Sequence, residues 1–241
     1  MSERRLFVPP ERLAGGRVTI AGDDHRHLAR VLRAQPGAAV TLFDGVGGEV
    51  DARVLRVGRD ETELELGARR ATRDAPAAPL TLLTAVPKGA RMDLLVQKTC
   101  ELGVARIVPV TTERSVVRPE PGRSLRWEKI AREAARQCGR ADVPTVSAPT
   151  TLAAAFAAPE LPPCRLVLWE QQRGRPLRAA LGAPAPTVVL VGPEGGFSPA
   201  EIAAAETAGF VPVALGPRIL RVETAAIVAA ALVADAYGEL G

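Results

Sequence analysis

Two glycine-rich strings near the end of the chain, each carrying charged residues, are the residues best placed to do chemistry. The first is Val191-Gly192-Pro193-Glu194-Gly195-Gly196-Phe197-Ser198 and the second is Leu215-Gly216-Pro217-Arg218-Ile219-Leu220-Arg221-Val222-Glu223-Thr224-Ala225. Where side chains are missing, a ligand can lie directly against peptide groups. Neither string ends in the glycine-lysine-serine/threonine of a phosphate loop, and neither has the three spaced glycines of a dinucleotide site. Together they describe a pocket built from main chain, using Val191, Gly192, Pro193, Glu194, Gly195, Gly196, Leu215, Gly216, Ile219 and Leu220. Arg218 and Arg221 are either surface charges or groups that hold phosphate or a carbonyl oxygen. Glu194 is either a partner of the following helix dipole or a pocket group. Glu223 either pairs with one of the two arginines or takes part in proton removal.

The elements that position these strings read as α/β. Val188 to Val191 and Val211 to Ala214 are short apolar runs before the loops, and both loops lead into helices. Ser198-Pro199-Ala200-Glu201 is a capping box with proline at the first helical position. Thr224 is read as the cap of a long apolar helix over 225–240. Upstream, Leu80 to Val86, Ile107 to Val110 and Leu166 to Trp169 are strands, and Arg91 to Leu102 and Ser124 to Cys138 are helices. This alternation predicts a mostly parallel sheet, in which ligands sit beyond the carboxyl ends of strands.

The first part reads differently. Leu6 to Val8, Arg17 to Ile20, Ala39 to Phe43, Val50 to Val57 and Glu61 to Leu66 read as strands, with one helix carrying Leu28, Val31 and Leu32. The period-two alternation of Glu61 to Leu66 supports a small β-barrel of about five or six strands. The boundaries expected are 1–73 for this domain, 74–79 for a proline-rich linker and 80–241 for the α/β domain.

Composition narrows the class without naming it. No apolar run approaches the roughly 20 residues of a membrane span, and the start lacks a signal peptide's apolar stretch, so a cytoplasmic protein without a membrane partner is expected. Cys100, Cys138 and Cys164 are too widely spaced for a disulfide framework or zinc site and are read as buried hydrophobes, like Trp127 and Trp169. His25 and His27 sit on different helix faces, so no metal is expected. The net charge of +4 is weak evidence for RNA binding.

Several strings resemble one family. His27-Leu28-Ala29-Arg30-Val31-Leu32-Arg33, Leu42-Phe43-Asp44-Gly45, Lys88-Gly89 through Asp93-Leu94, Gln97-Lys98, Glu101-Leu102-Gly103, Glu113-Arg114-Ser115, Glu133 to Gln137 and then the two glycine loops occur in this order. They resemble the ribosomal RNA small subunit methyltransferase E family, of the knotted SPOUT class. The resemblance implies a small N-terminal PUA-like β-barrel and a C-terminal trefoil-knot methyltransferase domain. It implies S-adenosylmethionine in the glycine loops, a homodimer, and methylation at N3 of a uridine in 16S rRNA of the small ribosomal subunit. Arg221 would then stabilise the uracil anion, Glu194 or Glu223 would orient the base, and Arg4, Arg30, Arg33 and Arg218 would contact RNA. His27 lies in the matched motif as a structural or RNA-contacting residue. The alternatives are a SPOUT methyltransferase acting on tRNA and a catalytically silent ribosome-assembly factor.

Overall fold

A computed structural model describes residues 4–71, 78–117, 122–172 and 174–240. The chain forms two units, Met1–Ala75 with Ala135–Val143, and Pro76–Ala134 with Pro144–Gly241. Most of the linker expected over 74–79 lies outside the described residues.

The first unit is a five-stranded sheet in the order β1-β3-β4-β5-β2. Its strands are β1 (Arg5–Phe7), β2 (Arg17–Ala21), β3 (Ala39–Phe43), β4 (Gly48–Val57) and β5 (Glu61–Ala71). Alternation does what period two requires: Val18 and Ile20 of β2, and Thr62 and Leu64 of β5, point inward between exposed or half-exposed neighbours. Val18, Ile20 and Leu64 meet Leu6, Leu28, Val40, Leu42, Val50 and Val54 in one core. Register shifts in β4 at Val50/Ala52 and Val54/Arg56 bend the long hairpin. β1 and β2 are the two edges, so the small PUA-like barrel of about five strands that the sequence implied takes the form of a curled half-barrel. Helix α1 (Gly22–Arg26) continues as a π turn over His27–Val31, where Leu32 N–H donates to the His27 carbonyl at 2.9 Å.

The second unit is a parallel sheet of seven strands, β12-β10-β11-β6-β7-β8, with β9 also on β7. The central strands are β6 (Leu80–Ala85), β7 (Arg106–Thr111), β10 (Cys164–Leu168), β11 (Thr187–Val191) and β12 (Val211–Val213). All five residues of β11 are buried, as a strand covered on both faces must be. Helices α2 (Arg91–Glu101), α3 (Arg123–Cys138), α6 (Pro199–Thr207) and α7 (Val222–Ala236) were legible. Four short elements were not: β8 (Thr145–Val146), β9 (Thr150–Thr151), α4 (Leu152–Phe156) and α5 (Leu177–Ala180). Helix α7 packs against α2, α5, β6 and β11. It begins three residues before the expected start, with Arg221 and not Thr224 as its N-cap, because Val222 is already buried and fixes the first turn. Trp127 and Cys100 are core residues as read, whereas Cys138 at the end of α3 is exposed and Cys164 and Trp169 are only half-buried.

Candidate active site

The carboxyl ends of β10, β11 and β12 are neighbours in the sheet and together open a cleft of about 340 Å³. The chain after β11 supplies Val191 to Phe197, and the chain after β12 supplies Ala214 to Leu220. All ten residues expected to hold a cofactor line this one cleft, as does Arg218. The sequence reading missed the third wall, Leu168 to Gln172. Its signal was present, since β10 was legible as a strand and these residues follow its carboxyl end. The Trp169 indole N–H is buried there without a hydrogen-bond partner among the described residues. It is a donor that a ligand in the cleft can satisfy.

The first loop is held from several sides. Gly196 has φ +68° and its N–H donates to the Pro193 carbonyl at 2.9 Å, closing a tight turn. A Cβ added at Gly192 would sit 2.8 Å from the Phe197 ring, and one at Gly196 would sit 2.7 Å from the Glu170 carboxylate. Packing of the loop on its own neighbours therefore explains both glycines. Arg114 Nη1 donates to the Gly195 carbonyl at 3.1 Å. The expected capping box closes α6: Ser198 N–H donates to Glu201 Oε2 at 2.9 Å and Glu201 N–H donates to Ser198 Oγ at 3.3 Å. Glu201 Oε1 also accepts from the Glu113 N–H at 2.7 Å, which fixes the exit of β7 against α6. The second loop is more open. Gly216 has φ +122°, a conformation other residues rarely adopt, and open space around its missing Cβ.

The acid and base candidates separate. Glu194 lines the cleft, and its Oε1 accepts from the Lys88 N–H at 3.3 Å. Glu223 is 7% exposed and does not line the cleft. It faces Arg91 Nε at 3.6 Å, and not Arg218 or Arg221. Arg91 Nη1 also lies 3.9 Å from Glu194 Oε1. Arg221 is exposed at the N-cap of α7 beside the cleft-lining Leu220, and its side chain makes no ion pair among the described residues. A cation at a helix N-terminus opposes the helix dipole, so this placement is not explained by helix stability.

In the first unit, Arg30 and Arg33 are exposed on and just beyond the π turn, with Val31 between them 67% exposed. Arg33 has φ +46°, rare for a residue with a side chain. Arg4 is half-buried, with its Nε unpartnered among the described residues. The two histidines are structural ties. His25 is buried with Nδ1 2.9 Å from Thr62 Oγ1, and His27 Nε2 lies 3.0 Å from Arg136 Nη1. A guanidinium only donates, so the His27 nitrogen accepts. Among the described residues no cluster of three or more His, Cys, Asp or Glu side chains is placed to hold a metal, and no helix is long and apolar enough to cross a membrane.

The chain matches known proteins over almost its whole length. A model of the RNA methyltransferase domain matches residues 73–234, and one of the RNA methyltransferase PUA domain matches residues 20–66. The ribosomal RNA small subunit methyltransferase E of Synechocystis sp. is 35% identical over 231 residues, 94% of this chain and 76% of that protein. Its counterpart from Mycobacterium tuberculosis is 33% identical over 223 residues, 89% of this chain and 85% of that one. The crystal structure of a ribosomal RNA small subunit methyltransferase E from Neisseria gonorrhoeae bound to S-adenosyl methionine is 33% identical, with a TM-score of 0.87 over 98% of each chain. A putative methyltransferase from Legionella pneumophila, in complex with the same cofactor, is 31% identical with a TM-score of 0.86 over 98% of each chain. With both domain models matched in order and the likeness running from end to end, the chain belongs to the ribosomal RNA small subunit methyltransferase E family.

Proposed function

We propose that this protein transfers a methyl group from S-adenosylmethionine to N3 of a uridine in the RNA of the small ribosomal subunit, acting in the cytoplasm as a knotted homodimer. Membership of the family makes it an S-adenosylmethionine-dependent methyltransferase of small-subunit ribosomal RNA. The observation that carries the reading to residues is the cleft at three adjacent strand ends. Its volume of about 340 Å³ falls within the rough range of 300–1,000 Å³ for small-ligand pockets. Its walls combine apolar Leu168, Val191, Val213, Leu220 and Ala225 with peptide groups and the unpartnered Trp169 N–H. That set suits a ligand with a flat aromatic part and polar edges, as the donor has.

When bound, S-adenosylmethionine supplies an electrophilic methyl group on a sulfonium. What the protein's own residues must add is position and charge. The uracil N3 carries a proton and is a poor nucleophile until that proton is shared. Glu194 is the carboxylate within the cleft and is assigned to accept it, with Glu223 set aside because it does not line the cleft. Arg221, a cation with no ion-pair partner among the described residues, is assigned to the negative charge that develops on the uracil. N3 lies on the pairing edge, so the uridine must be unpaired or extruded to react. Arg4, Arg30 and Arg33 of the first unit and Arg218 at the cleft are assigned to RNA.

Calorimetric titration with S-adenosylmethionine tests the cleft. The wild-type protein should bind the donor, and Gly216→Val should abolish binding because valine cannot hold φ +122° without reshaping the second loop. Gly216 is the better probe than Gly195, whose added Cβ would meet the Arg114 side chain at 3.2 Å. A folded Gly216→Val variant with wild-type affinity would remove the second loop from the donor site.

A further inference from the structure

We propose that Arg91 is a positioning residue that couples the two loops of the donor cleft, an inference that rests on the function proposed above. Arg91 is the first residue of α2 and does not line the cleft. Its guanidinium is shared between Glu194 Oε1 of the first loop, at 3.9 Å, and Glu223 Oε1 in the first turn of α7, at 3.6 Å. Glu223 lies only two residues after the N-cap Arg221, where the second loop ends. One side chain therefore bridges the chain that leaves β11 and the chain that enters α7.

Two further observations give the bridge weight. Glu223 is buried, and its Oε2 has no hydrogen-bond partner among the described residues. A buried carboxylate depends on its nearby cation, and removing that cation leaves an uncompensated charge. The main-chain N–H of Lys88, in the turn before α2, holds the same Oε1 of Glu194 at 3.3 Å. The entry to α2 thus fixes Glu194 from two directions. A cleft made largely of peptide groups has few side chains to adapt, so the relative placement of its loops sets how well a ligand fits. The planar fork of arginine can address two carboxylates at once, which a lysine ammonium on a flexible stem does poorly.

The test is calorimetry of S-adenosylmethionine binding to the full-length wild type, Arg91→Ala, Arg91→Lys, Glu223→Gln and the double variant Arg91→Ala/Glu223→Gln. Thermal melts and the salt dependence of RNA affinity accompany it. Arg91→Ala should weaken donor affinity by about tenfold, and Arg91→Lys should recover only part of the loss. The double variant should bind no more weakly than Arg91→Ala alone, because the two residues act through one contact. RNA affinity and its salt slope should stay at wild-type values. Wild-type donor affinity in Arg91→Ala would overturn the proposal, as would additive losses in the double variant. A flattened salt slope with intact donor binding would make Arg91 a phosphate contact instead. If melting shows Arg91→Ala to be unfolded, Arg91→Lys decides: full wild-type affinity overturns the coupling and a partial loss supports it. Failure of the wild type to bind the donor would instead remove the proposed function, so the two failures are distinct.

Discussion

Charge placement at single residues sets up a proposed separation of binding from chemistry. Arg221 stands at the N-cap of α7 against the helix dipole, next to the cleft and free of ion pairs among the described residues. If its charge acts on the uracil anion, its value is realised mainly in the transition state. Arg221→Ala should keep donor affinity and most RNA affinity while turnover on small-subunit particles falls by about a hundredfold, the scale of a lost electrostatic stabiliser. Arg30→Ala or Arg33→Ala should do the reverse, weakening RNA binding and lowering its salt slope by about one unit with single-turnover rates near normal at saturating RNA. Normal turnover by Arg221→Ala at saturation would end its catalytic assignment. The residue types of this site were legible, because glycine strings with embedded charges announce a main-chain pocket. The pairing of Glu223 was not. Its partner Arg91 is remote in sequence, and no local pattern ranks it above Arg218 or Arg221.

Elements were legible where the pattern was long or the local chemistry strong. The buried strand read over Val188 to Val191 and the Ser198–Glu201 capping box are both present, the strand starting one residue earlier at Thr187. The short elements escaped for opposite reasons. Strands β8 and β9 are two residues each and exist only because β7 offers its edge, so nothing local encodes them. Helix α4 did carry a signal, with Thr151 capping Ala154 N–H at 3.2 Å, but it is a single turn. The capping box at α6 can be weighed. Ser198→Ala should cost about 1 kcal/mol, lowering Tm by roughly 2–4 °C in a protein of this size. The loss should appear in a thermal melt, and an unchanged Tm would show that Glu201, held also by the Glu113 N–H, closes the helix alone.

At the scale of the whole molecule, the division into a β unit and a parallel α/β unit was legible from the change in rhythm near residue 80. The grouping of Ala135–Val143 with the first unit was not. It rests on long-range ties, such as Arg5 Nη2 donating to the carbonyls of Gly139 and Arg140 at 3.2 and 3.1 Å, and on the Val143 N–H to Gly45 carbonyl bond at 2.9 Å. Helix α7 carries the homodimer proposal. Val222, Ala226, Ala229, Ala230 and Val233 are buried within the chain, while Ile227, Val228, Ala231 and Leu232 are only half-buried. An apolar helix with surface left uncovered matches an isologous interface between two copies. Sedimentation at micromolar concentration should show a dimer, and a monomer would mean that the remaining apolar surface of α7 stays uncovered.

The most direct test of the central claim is nucleoside mass spectrometry of small-subunit ribosomal RNA from a strain lacking this protein, before and after treatment of its particles with the purified enzyme and S-adenosylmethionine. The account predicts that one N3-methyluridine is missing from the deletion strain. It predicts that the wild-type protein restores it at a single mapped position and that Arg221→Ala does not. An N3-methyluridine content unchanged by the deletion, or a methyl group restored at a different atom or only in tRNA, would contradict it.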